Sequence, residues 1–116
     1  PELPRVSTSS AAVERATISP RLAVLEAWLR LEDQVIDVAM RRGLTQPTAH
    51  RYARGAFKGL KQSGLLKPEH LQLLEELENL RNWAVHYPEF SPDPSAVVSY
   101  IQSAAALGAE LEALAQ

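Results

Sequence analysis

The residues best suited to chemistry are Arg81, Asn82 and His86, spaced Arg-Asn-Trp-Ala-Val-His. Arginine presents a planar fork of donors that fits phosphate oxygens, an amide can orient a hydroxyl, and histidine is the side chain best able to move a proton near neutral pH. The six residues span about one and a half turns of a helix at 3.6 residues per turn. A phosphate ester is the substrate such a set suits best. A lone histidine ending a helix more often only caps carbonyl groups, and the Arg and Asn beside it weigh toward a site.

A second feature is a local positive field. From Val38 to Pro68 the chain carries Arg41, Arg42, Arg51, Arg54, Lys58, Lys61 and Lys67 and no acidic residue. The whole chain has a net charge of −2, so the asymmetry is regional, which is the pattern that attracts a polyanion. Arg51, Arg54, Lys58 and Lys61 recur at helical spacing and are expected to form an outward ridge; a solvated charged face is the competing reading. Trp83 is expected on the outer face of its helix, where an indole stacks on a base or is covered at a dimer contact.

These residues must be positioned by helices. No stretch alternates with period two for long enough to make a strand, so the expected fold is all-α, an antiparallel four-helix bundle. Ser19-Pro20 reads as a capping hydroxyl followed by proline, opening a first helix to about Arg42, where Gly43 stops it. Its inner side carries Leu25, Trp28, Val35, Ile36 and Ala39, and Glu32 falls inside this apolar arc. Pro47 is expected to open the second helix, with Ala49, Ala53, Ala56, Leu60 and Phe57 inward and an end near Ser63-Gly64. Pro68 opens the third, with Leu73, Leu74, Leu77, Leu80 and Ala84 toward the core and Arg81 in the same arc. Pro88 places His86 in its last turn. Asp93-Pro94 begins the fourth, in which Val97, Tyr100, Ala104, Leu107, Leu111 and Leu114 form the inner stripe and Ala104, Ala105, Ala106 and Gly108 allow close approach of another helix.

An unpaired buried charge is costly, so Glu32 and Arg81, each in the inward arc of a different helix, are expected to meet. Either Glu32 holds the guanidinium in place for a reaction, or the two neutralise each other as a structural pair. Residues 1–18, rich in Ser, Ala and Pro, read as a linker, and 19–116 as the folded domain. At 116 residues the chain has room for one core. It has no cysteine, hence no disulfide or thiolate metal site, and neither a His-Glu-x-x-His motif nor a glycine-rich phosphate loop.

The Arg81-Asn82-x-x-x-His86 pattern, preceded by Leu77-Glu78-Asn79-Leu80, resembles the signature of the HEPN superfamily, carried on the last core helix before a turn. The resemblance extends over about Ser19 to Gln116, with its specific part in the six motif residues, and is closest to a bacterial branch of uncharacterised domains whose first helix begins Ser-Pro. It implies a dimeric, metal-independent endoribonuclease requiring no cofactor. In that reading His86 moves protons as an RNA 2′-hydroxyl attacks the adjacent phosphate, Arg81 stabilises phosphoryl charge, Asn82 positions the substrate or the histidine, and the product ends in a 2′,3′-cyclic phosphate. Such a protein acts as a toxin or defence effector restrained by an antitoxin or a fused upstream domain, in the cytoplasm or as the cytoplasmic part of a membrane-anchored protein. The alternative is a non-catalytic dimerisation, regulatory or RNA-binding module. The bulk of Trp83 within the motif and the acidic Glu75, Glu76 and Glu78 before it weigh toward that alternative.

Overall fold

The structure, a computed structural model, describes residues 19–44 and 52–116. Within them the chain forms four helices and no strand: α1 (Pro20–Arg41), α2 (Tyr52–Ser63), α3 (Pro68–His86) and α4 (Pro94–Ala115). The expected linker over residues 1–18, the opening of α2 at Pro47, and Ala49 and Arg51 all lie outside the described residues. Among the described residues no helix is long and apolar enough to cross a membrane.

The ends of α1 follow from local chemistry. Ser19 Oγ accepts a hydrogen bond from the Leu22 N–H (3.4 Å), with proline in the first turn. At the other end Gly43 takes φ +67°, the left-handed conformation that suits glycine. Its N–H donates to Met40 O (3.2 Å) and that of Leu44 to Ala39 O (2.7 Å), the paired bonds of a Schellman cap. Leu44 is thereby folded back against the core. Asp93 occupies the cap position of α4, but its carboxylate makes no capping hydrogen bond, so the expected side-chain cap is not formed and proline alone marks the start.

α1 is the central helix. It packs most extensively on α4, then on α2 and α3, while α3 also meets α4. Arg21, at the start of α1, donates to Tyr87 O just past α3 (2.8 Å), so these two helices run antiparallel. Tyr100 donates to Leu77 O (2.9 Å) across the equally antiparallel α3–α4 pair. α1 and α4 instead advance together: Gln34 donates to Glu112 (3.1 Å) and Arg42 to Leu114 O (3.4 Å). The small residues of α4 explain this contact. Gly108 is buried where a Cβ would run into the Gln34 side chain, so the partner of the Ala-rich stripe is α1 of the same chain.

Val35, Val38, Leu60, Leu74, Leu107 and Leu111 are fully enclosed at the centre. Trp28 and Ala39 are buried as their positions implied, and Leu25 and Ile36 are half-buried. Leu80 departs from expectation: it is 45% exposed, because the inward arc of α3 narrows to Leu74, Leu77 and Ala84. His70 is buried in the first turn of α3.

Candidate functional site

Because α2 and α3 both lean on α1 and barely touch one another, a cleft of about 530 Å³ opens between them. Its floor is aromatic. Trp28 of α1, only 2% exposed, stacks on Phe57 of α2 with ring centroids 5.3 Å apart and planes at 19°. The Arg81 guanidinium lies over the Trp28 ring, Cζ 5.3 Å from the centroid, a cation–π arrangement. Arg54, Lys58 and Lys61 of α2 line one side, with Glu32 and Glu78 also at the wall.

The basic ridge therefore does not simply face outward. Arg54 and Lys58 are exposed along the cleft, while Lys61 is drawn across it, its Nζ 3.0 Å from Glu78 Oε1 and 5.9 Å from the Phe57 ring centre. Glu32 and Arg81 share the cleft, as their inward placement required, yet no ion pair joins them, and the expected pairing is not made. The indole face takes the place of a carboxylate as the guanidinium's neighbour. One consequence is unusual. Trp28 Nε1 and Arg81 Nε are both buried donors without an acceptor among the described residues. Leaving such a group unmet costs roughly 1–3 kcal/mol, so two of them are expensive in a domain this small.

Tyr100 supports this turn of α3 from behind. Its hydroxyl bonds Leu77 O, and burial pushes the phenol well above the usual tyrosine range while the charge of Arg81 draws it part of the way back.

The motif histidine is elsewhere. Five residues at 100° each turn His86 about 140° from Arg81 around the helix. His86 is exposed at the end of α3, and it does not line the cleft. Asn82 is half-buried on the flank between them. Trp83, 53% exposed, stacks on Tyr87 at 4.3 Å and 25°, forming an aromatic surface beside His86. Leu80 adds exposed apolar area on the same side, whereas the exposed Val85 lies about 160° round the helix from Trp83. The guanidinium held at this tip is that of Arg21, through Tyr87 O. Within the chain the tip and the cleft are thus separate surfaces.

Sequence reasoning missed Trp28, Phe57 and Glu78 as cleft residues and Arg21 at the tip. Trp28 alone carried a signal, since an indole N–H in a buried stripe needs an acceptor and none was in prospect. No family model matches this chain, and no curated protein or solved structure matches it either.

Proposed function

We propose that this chain is a HEPN-type, metal-independent endoribonuclease domain that acts as a homodimer, with a site completed between copies. The observation that carries the proposal is the division of the motif: Arg81 lies in an open, cation-lined cleft, whereas His86 stands exposed beside the Trp83–Tyr87 surface. An exposed aromatic pair flanked by Leu80 is suited to burial against a second copy. Such an association brings the histidine of one protomer to the arginine of the other.

In the assembled site an RNA phosphate is held by Arg81, with Arg54 and Lys58 along the strand. The 2′-oxygen attacks phosphorus as His86 takes the hydroxyl proton, the P–O5′ bond breaks, and the His86 imidazolium returns that proton to the leaving oxygen. The products are a 2′,3′-cyclic phosphate and a 5′-hydroxyl. Positioning and charge stabilisation lower the barrier without a cofactor. A toxin or defence effector in the cytoplasm, restrained by an antitoxin or an attached domain, is the setting this chemistry fits.

One observation favours a second reading, a non-catalytic RNA-binding or dimerisation module: the Arg81 guanidinium is already engaged by Trp28. A cleavage assay on single-stranded RNA with chelator present separates the two. Nuclease function requires cyclic-phosphate products that vanish in His86→Ala and in Trp83→Asp, the latter also running as a monomer in sedimentation. RNA binding without products, in a folded wild-type dimer, selects the module.

A further inference from the structure

We infer that the α1–α2–α3 cleft is a binding pocket for a phosphate monoester attached to a sugar, with the Trp28 indole N–H as one of its donors. The inference is independent of RNA cleavage, because it concerns what the cleft holds and not whether a bond is cut.

The two buried donors without acceptors, Trp28 Nε1 and Arg81 Nε, belong to side chains that line the same cavity. Buried polar groups are nearly always satisfied in a working protein, and here a ligand supplies what the chain lacks. Both orphans are donors, so the ligand must bring acceptors there. Charge defines it further. With Lys61 committed to Glu78, the lining keeps Arg54, Lys58 and Arg81 against Glu32, three positive charges to one negative. A dianion balances that excess and a carboxylate does not. The shape excludes recognition of a base on the aromatic floor, since Trp28 already carries Phe57 and Arg81. About 530 Å³ nevertheless exceeds what a phosphate group alone occupies. Glu32, which only accepts hydrogen bonds when ionised, suits the hydroxyl groups of a sugar in the remaining space.

The chain contains two tryptophans, which gives the test an internal control. In ¹⁵N-labelled protein the indole N–H resonances of Trp28 and Trp83 are followed while inorganic phosphate, then AMP, is added against sodium chloride of equal ionic strength. The expected result is a saturable shift of the Trp28 signal with phosphate and a tighter one with AMP, while Trp83 stays still. Arg54→Ala/Lys58→Ala, at exposed positions that should not disturb folding, should weaken binding about tenfold or more, and Trp28→Phe, which keeps a ring but removes the donor, should do the same. A 5′-phosphorylated RNA dodecamer compared with its 5′-hydroxyl form identifies the source: preference for the phosphorylated end over AMP assigns the pocket to RNA termini, and equal or tighter AMP binding assigns it to free nucleotides. Unsaturable shifts matched by sodium chloride, or affinity unchanged in the double variant, would overturn the assignment.

Discussion

Replacing Arg81 by methionine should leave the domain as stable as before or more so, while abolishing anion binding. The change removes a buried Nε with no acceptor, whose cost is roughly 1–3 kcal/mol. It also removes the guanidinium from the Trp28 ring, an interaction worth about 0.5–2 kcal/mol. Methionine restores about 0.3–1.5 kcal/mol of that through its sulfur on the same ring and fills much of the same length. Central values give a net gain of about 1.5 kcal/mol, or an increase in Tm of roughly 6–12 °C for a domain of this size. Urea and thermal melts followed by circular dichroism measure it, with an unchanged denaturant slope showing that the two states compared are the same. A drop of about 2 kcal/mol or more would refute the reasoning, because it would make Arg81 a structural keystone and its orphaned donor an incidental feature. Greater stability joined to abolished phosphate or RNA binding is the mark of a residue kept for function at the expense of the fold.

Tyr100→Phe should cost about 1 kcal/mol near neutral pH by removing the hydrogen bond to Leu77 O. It should also flatten alkaline destabilisation: the folded phenol is held above its unfolded value of about 10, so its contribution is complete below that pH and is lost as pH rises beyond it, at roughly 1.4 kcal/mol per unit. Melts between pH 8 and 11.5 on both proteins check the sign. Gly59→Ala should destabilise by about 1 kcal/mol despite its better helix propensity, because the new Cβ meets the backbone carbonyl of Leu44, whose carbon lies 3.2 Å away, and that loop is fixed by the α1 cap. Gly108→Ala, whose nearest neighbours are all at the movable end of the Gln34 side chain, should be close to neutral in the same melts. Arg54→Ala/Lys58→Ala should lower the slope of log affinity for single-stranded RNA against log salt by about 0.7 for each phosphate that is no longer neutralised. An unchanged slope would remove these side chains from the RNA path.

The helices were legible because their signals are local. Ser19-Pro20, Gly43, Pro68 and Pro94 mark boundaries through backbone chemistry that needs no distant partner, and the buried positions of α1 and α4 follow the expected periodicity. Leu80 lies outside the core although it belongs to the apolar stripe, because a periodic stripe does not reveal how far along a helix its neighbours continue. The parallel course of α1 and α4 was hidden for a related reason. It depends on which faces of small residues meet, and Gly108 fits against Gln34 only in the assembled bundle.

The candidate site separates these levels most sharply. An inward arginine demands a neighbour, and sequence offered Glu32 because opposite charges are the obvious remedy. Whether that carboxylate meets the guanidinium is decided by how α1 and α3 pack, a property no single helix encodes, and the shape of the cleft they share depends on the spacing of α2 and α3. Those helices stand apart because each buries its apolar stripe against α1: Ala56, Phe57 and Leu60 from one side, Leu74 and Leu77 from the other. The gap leaves Trp28 at its base, and the broad face of the indole, not the Glu32 carboxylate, neighbours the guanidinium. The same gap leaves two donors unmet and a surplus of positive charge beside them. Packing alone does not account for that combination, since an apolar side chain at position 81 would close the core at lower cost. An anion entering between α2 and α3 accounts for all three features at once.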